Sequence, residues 1–114
     1  MLDPAPLITL FDDMSEPEAE AIVCRALEDI AQRLDKLQDS RASGQFGSVP
    51  KTAHRIAAIA GQIGLTSIMT AADHVANAAN LQSGVALGAT LARLERAFDA
   101  AVSEVWSFRQ YIGG

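Results

Sequence analysis

Residues 53–65 read AHRIAAIAGQIGL, a run of small and branched apolar residues that carries one histidine. Ile56, Ala60 and Ile63 recur in steps of four and three residues, which is the spacing of one face of an α-helix. At about 100° per residue, His54 lies on the opposite side of that helix. The stretch therefore predicts a helix that buries its isoleucines and turns its histidine toward solvent.

The positions around the histidine are either small or basic. They are Lys51, Arg55, Ala57, Ala58 and Gly61. Small side chains would let another protein approach the imidazole, and the two cations would attract an anion such as a phosphoryl group. An exposed imidazole is mostly neutral at pH 7 and can act as a nucleophile. We therefore predict that the helix presents His54 as a nucleophile; the alternative is an ordinary surface histidine without a role.

Three more helices are predicted by apolar residues that recur in steps of three and four. The first begins at a capping pair, Ser15 with Glu18, and ends before a loop at 39–50 that is rich in glycine and serine. The second begins near Leu65, and the third follows a turn at 81–84. Their core stripes comprise Val23, Leu27, Ile30, Leu34 and Leu37; Ile68, Ala72 and Val75; and Leu87, Leu91, Leu94, Phe98, Ala101, Val105, Phe108 and Ile112.

A shorter apolar stretch, PLITLFDD at 6–13, precedes the long helix. It predicts a brief N-terminal helix that packs on the rest of the molecule. The residues that would pack are Leu7, Ile8, Leu10 and Phe11. Four longer helices joined by short connections favour an antiparallel four-helix bundle. We therefore expect residues 1–114 to form one all-α domain, a four-helix bundle with a short additional N-terminal helix.

The composition argues against several classes of function. The chain has 114 residues, a net charge of −5 and a pI of about 4.8, which disfavours nucleic-acid binding because neutralising phosphates requires clustered Lys and Arg. Cys24 is the single cysteine, so an internal disulfide is impossible. The N-terminal segment lacks the features of a signal peptide, and no apolar run approaches the roughly 20 residues of a membrane span. We expect a cytoplasmic protein that binds neither nucleic acid nor membrane.

Patterns for metal, nucleotide and acid–base sites are missing from the sequence. It contains no Cys/His cluster, no glycine-rich phosphate loop and no GxSxG motif. Asp12 and Asp13 fall in a predicted turn, and His74 lies on a different helix from His54 without further ligands. Ordinary solvated positions are the better interpretation of these residues. We expect neither a metal nor a cofactor in the chain itself.

AHRIAAIAGQIGL resembles the core motif of histidine-containing phosphotransfer (Hpt) domains, written roughly as A-H-x-L-K-G-x-[AS]-x-x-x-G with an apolar residue after the last glycine. The matching residues are Ala53, His54, Ile56 in place of leucine, Ala60, Gly64 and Leu65. The predicted order of helices also resembles that of the family: a short helix, a long one, the histidine helix, its partner and a long last helix. The resemblance covers about residues 6–110.

The resemblance implies that His54 is a phosphoacceptor in a two-component phosphorelay. In this family the histidine takes a phosphoryl group from an aspartate of one receiver domain and passes it to an aspartate of another. The implied partners are response-regulator receiver domains, with a hybrid histidine kinase as a further candidate. The receiver would supply Mg²⁺, and this chain would be a monomeric carrier without kinase activity. The docking surface would surround His54 and include Leu7, Ile8 and Phe11 of the N-terminal helix.

Two positions depart from the family motif. Ala57 and Ala58 stand where the family usually has lysine and glycine. That lysine helps to hold the phosphoryl group in the family, so we expect Lys51 or Arg55 to take its place here. Ala57, Ala58 and Gly61 would keep access to the histidine open. Family members often orient the histidine with a polar residue on the next helix, where this chain has Ala76 followed by Asn77.

Other functions remain open at this point. The dimerisation domain of a histidine kinase usually places an acidic residue directly after its histidine and a proline a few residues later. Here Arg55 follows His54 and no proline does, which disfavours a dimeric hairpin. Because Ala57 replaces the lysine, an Hpt-like or kinase-dimerisation-like helical module that binds a receiver or kinase without phosphotransfer is a second alternative. A structural bundle with no partner is a third.

Overall fold

The computed structural model describes residues 2–113, and the surroundings of side chains for residues 2–110. This part of the chain contains five helices and no strand. The helices are α1 (Ala5–Asp13), α2 (Glu16–Ser43), α3 (Val49–Gln62), α4 (Thr66–Asn80) and α5 (Gly84–Gly113). The prediction of an all-α chain with a short N-terminal helix is therefore confirmed. Among the described residues, no helix combines the length and apolarity needed to cross a membrane.

Each of the four longer helices packs against two others. α3 contacts α2 and α4, and α5 contacts α4 and α2, while α1 rests on α2. The predicted apolar stripes form most of the core. Buried members are Val23, Leu27, Ile30, Leu34 and Leu37 of α2; Ile56, Ala60 and Ile63 in and after α3; Ile68, Ala72 and Val75 of α4; and Leu87, Leu91, Leu94, Ala101 and Val105 of α5. Phe98 and Phe108 are half-buried, and the side chain of Ile112 lies outside the described part of the chain.

α2 is longer than its sequence predicts. It begins at the predicted capping pair, where the Glu18 amide donates to Ser15 Oγ at 3.4 Å. It then continues to Ser43, into the segment at 39–50 that we expected to be a loop. The helix stops only at Gly44, whose φ of 72° is left-handed and whose amide donates to the Arg41 carbonyl. Residues 39–43 include neither glycine nor proline, so their polar composition alone did not predict where α2 ends.

The N-terminal segment is tied to the end of α3 through its backbone. The Asp3 amide donates to the Gly64 carbonyl at 2.8 Å, and Leu2 and Leu65 form an isolated antiparallel bridge. Gly64 has a φ of 79°, and a Cβ at this position would overlap the Asp3 carbonyl oxygen. Only glycine fits there without moving the segment. The tie places α1 at the Gly64 end of α3.

The side chains of α1 are buried less than predicted. Leu7 is fully buried, but Leu10 and Phe11 are half-buried and Ile8 is 47% exposed. The expectation that all four residues pack into the molecule is therefore wrong for Ile8. A helix of nine residues resting mainly on α2 can bury only one side.

One arginine connects three helices at the α1 end. Arg109 of α5 forms ion pairs with Glu16 and Glu20 of α2, with 2.8 Å between its Nε and Glu20 Oε1. Its guanidinium carbon lies 5.6 Å from the centre of the Phe11 ring, which is cation–π geometry. The Arg109 side chain is only 19% exposed, so these interactions are partly shielded from water. They hold α1, α2 and α5 together.

Gly64→Ala tests the backbone tie, and Gly44→Ala is the matched control. Both glycines have a positive φ, so both substitutions should cost about 1 kcal/mol of backbone strain. A Cβ on Gly44 meets nothing within 4 Å, whereas a Cβ on Gly64 meets the Asp3 backbone. We expect Gly64→Ala to lower the free energy of unfolding by about 2–3 kcal/mol, and Gly44→Ala by about 1 kcal/mol. Urea denaturation measures both, and equal losses would contradict the tie.

Candidate functional site

α3 presents its two sides to different environments. Its buried residues are Val49, Ala53, Ile56, Ile59 and Ala60. His54 is exposed, so the prediction that the helix turns its histidine to solvent is confirmed. The buried side is wider than the stripe read from the sequence because α3 packs against both α2 and α4.

Small and basic side chains surround the imidazole. Lys51, Arg55 and Ala58 are exposed, and Ala57 is half-buried. Lys51 lies about one turn before His54 on the same side, while Arg55 points farther round the helix. Within the described part of the chain, no residue donates a hydrogen bond to His54, accepts one from it or pairs with it as an ion. The described part of the chain therefore provides no hydrogen bond or ion pair that fixes the imidazole of His54.

Gly61 does not provide the open space expected of it. A Cβ at this position would lie 3.3 Å from the Met69 sulfur of α4, so the thioether fills the place of the missing side chain. The neighbouring helix α4 thus occupies the space beside Gly61, and the role of Gly61 in access to His54 stays a prediction. Openness beside the imidazole comes from Ala58 and Ala57, which lie on α3 itself.

The position on α4 that often orients the histidine in Hpt domains has no polar group here. Gly61 of α3 meets Met69 near the start of α4, whereas Pro50 at the start of α3 shares a groove with Asn80 at the end of α4. The two helices are thus antiparallel, and this register sets His54 level with Ala76. Ala76 is fully buried and offers no side-chain hydrogen bond. The adjacent Asn77 is exposed.

The residues predicted to dock a partner do not form one surface with His54. Leu7 has no exposed area, so the prediction that it contacts a partner is wrong: it is a core residue. Phe11 is half-buried against Arg109, and Ile8 is the exposed member of the set. α1 is tied to Gly64, about 15 Å along α3 from His54 at 1.5 Å per residue.

Charge is distributed unevenly along the acidic chain. Residues 40–94 contain four basic residues and one acidic residue, Asp73, which gives a formal charge of +3. The rest of the chain contains five basic and thirteen acidic residues, a formal charge of −8, so that the total is −5. The four cations of the central segment are all exposed; they are Arg41, Lys51, Arg55 and Arg93. His54 is thus presented from the basic part of an acidic protein.

An open groove lies one turn from His54. It has a volume of about 510 Å³ and runs between the α2–α3 connection and the end of α4. Phe46, Pro50, Asn80 and Gln82 are among the residues that line it. The sequence analysis predicted neither this groove nor the separation of basic from acidic residues along the chain. The absence of acidic residues from 40–72 was visible in the sequence, but its meaning depends on the fold.

Other potential chemistry is sparse. In residues 2–113, no three His, Cys, Asp or Glu come together as a metal-binding group. Cys24 is a half-buried free thiol. His74 is exposed in an open groove between α4 and α5 that also contains Thr70 and Arg93.

Comparisons with known proteins add no relative to this description. Neither family models nor curated proteins nor solved structures give a significant match to the chain.

His54→Gln and Ile56→Ala test the two sides of α3. His54 is exposed and has no described partner, so His54→Gln should change the free energy of unfolding by less than about 0.5 kcal/mol. Ile56 is fully buried, so Ile56→Ala should lower it by about 2–5 kcal/mol. Chemical denaturation followed by circular dichroism measures both. A large loss for His54→Gln would mean that the imidazole has a structural role.

Proposed function

We propose that this protein is a histidine phosphotransfer protein, in which His54 carries a phosphoryl group between the aspartates of receiver domains. The observation that supports this most is an exposed imidazole without an internal partner, on a helix whose opposite side is buried. We also propose that α2–α5 form the antiparallel four-helix bundle of Hpt domains. Each of these helices contacts two of the others in a closed ring, which supports that arrangement.

The chemistry that His54 would perform is a displacement at phosphorus. Its unprotonated ring nitrogen attacks the phosphorus of an aspartyl phosphate on the partner. The bond between phosphorus and the aspartate oxygen breaks as the nitrogen–phosphorus bond forms. The carboxylate leaves with the bonding electrons, and the other ring nitrogen keeps its proton. The same step in reverse delivers the group to the aspartate of a second receiver.

Charge on the transferring group must be balanced in the transition state. The partner's Mg²⁺ would neutralise part of it, so this chain needs no metal of its own. Lys51, one turn from His54 on the same side, is the best placed cation of this chain to contact the phosphoryl oxygens. Arg55 would have to reach around α3 and is the second choice. The chain would act as a cytoplasmic, monomeric carrier rather than a kinase.

A binding module without phosphotransfer is the second candidate. It is favoured by Ala57, which occupies the position of the phosphoryl-holding lysine in the family. Such a module would dock on a receiver or a kinase through the same surface, but would not form a bond to phosphorus.

Phosphate transfer from phosphorylated receivers distinguishes these candidates. We expect acid-labile, base-stable label to appear on the wild-type chain and to map to His54. His54→Gln should fold and carry no label, because glutamine lacks the nucleophilic nitrogen. His74→Gln is the matched control and should be labelled like wild type. Binding of a receiver without any label would favour the binding module.

Ala57→Lys tests the missing lysine. Ala57 is half-buried beside His54, so a lysine there would extend its ammonium along the helix surface toward solvent. We expect transfer to His54 to become about tenfold faster, because a second cation would contact the phosphoryl oxygens. Ala57→Gln adds a side chain of similar length without charge and should give no gain. Single-turnover kinetics with a phosphorylated receiver measures the rates, and equal rates for both variants would contradict a role for charge at this position.

A further inference from the structure

We propose that the receiver domain docks on the loop end of the molecule, which we define as residues 44–50 and 81–85, and not on α1. This inference rests on the proposed phosphotransfer function and specifies its partner surface. It follows from three observations: exposed apolar side chains at the loop end, its continuity with His54, and the basic residues that flank it.

The loop end carries the two large hydrophobic side chains with the highest exposed fractions in the described part of the chain. Val85 is 87% exposed and Leu81 is 77% exposed. The ring of Phe46 is half-buried and lies 4.0 Å from the place of a Cβ on Gly84, so the α2–α3 connection contacts the α4–α5 turn. Leu81 and Val85 flank the same turn between α4 and α5, and neighbouring exposed apolar side chains are characteristic of a surface that a partner covers.

The loop end is continuous with the histidine. Pro50 lines the open groove and precedes His54 by four residues, which places it one helical turn away on the same side of α3. A domain that reaches the imidazole therefore also covers Lys51 and the mouth of the groove. α1, in contrast, is tied to the other end of α3.

Charge distinguishes the loop end from the α1 end. The phosphorylated site of a receiver is acidic, since its carboxylates bind Mg²⁺, so it favours a basic surface. Within five residues of 44–50, three exposed basic residues, Arg41, Lys51 and Arg55, outnumber one exposed acidic residue, Asp39. The α1 end also exposes apolar side chains, namely Ile8, Met14 and Trp106. Its surroundings repel an acidic partner because they carry the exposed acids Asp12, Asp13, Glu18 and Glu104, whereas Glu16 is paired with Arg109.

Substitutions at Val85 separate charge from apolar contact. Val85→Glu and Val85→Lys remove the same apolar side chain but add opposite charges. Both should fold, because Val85 is almost fully exposed, and the acid is also favourable in the first turn of α5. Ile8→Glu places the same new charge on α1 and is the matched control.

The experiment measures transfer from a panel of purified receiver domains of the source organism, each phosphorylated with acetyl phosphate. We expect Val85→Glu to slow transfer to His54 by about fivefold or more, and Val85→Lys to slow it less, because the lysine loses the apolar contact but adds a favourable charge. Ile8→Glu should stay within about twofold of wild type. Raising the salt concentration should slow wild-type transfer, since it screens the attraction. Phosphoramidate, a small donor that needs no docking surface, should phosphorylate all four proteins equally.

The possible results test the docking surface and the phosphotransfer function separately. If Ile8→Glu slows transfer and Val85→Glu does not, the docking surface is overturned while phosphotransfer stands. If no receiver labels the wild-type chain, phosphotransfer is overturned, and amide chemical shifts recorded with the unphosphorylated receivers decide the docking surface. Shifts confined to 44–54 and 81–85 would support it. Shifts on α1, or no shifts at all, would overturn it.

Discussion

The packing of α3 between α2 and α4 is the constraint on which the candidate site depends. Ala53, Ile56 and Ala60 of α3 have no exposed surface, and neither do Ala72 and Ala76 of α4. Small side chains on both helices let their axes approach closely, so there is little room for α3 to turn about its own axis. The buried side thereby determines the direction of the exposed side. His54 stays exposed to solvent because a rotation of α3 would move a larger or a polar side chain into its interface with α2 and α4. That interface is packed with apolar side chains.

The two ends of the molecule differ in the interactions that they contain. At the α1 end, backbone hydrogen bonds to Gly64 and the ion pairs of Arg109 close the structure with interactions made inside the chain. At the loop end, an open groove and two exposed apolar residues, Leu81 and Val85, form surface that the described part of the chain does not cover. The α1 end is therefore held by contacts between helices, whereas the loop end keeps a groove open to solvent.

The sequence predicted those features that depend on local spacing. The apolar stripes of α2–α5 and the exposure of His54 follow from the helical period alone. Features that require a second helix were missed. The space beside Gly61 is filled by Met69 of α4, and nothing in α3 reveals this. α1 is so short that the spacing of its apolar residues does not show which of them is buried. The sequence therefore wrongly predicted that Leu7 contacts a partner.

The burial of residues in and after α3 also explains which positions match the Hpt motif and which depart from it. Ala53, Ile56 and Ala60 match the family motif and are fully buried, and Gly64 matches it at a backbone position that no other residue fits. Of the departures, Ala58 is exposed and Ala57 is half-buried. The residues that pack α3 into the molecule and the residues that it exposes therefore occupy separate positions on one helix. On such a helix the exposed residues can be exchanged, by evolution or by design, while the buried residues and the fold stay the same.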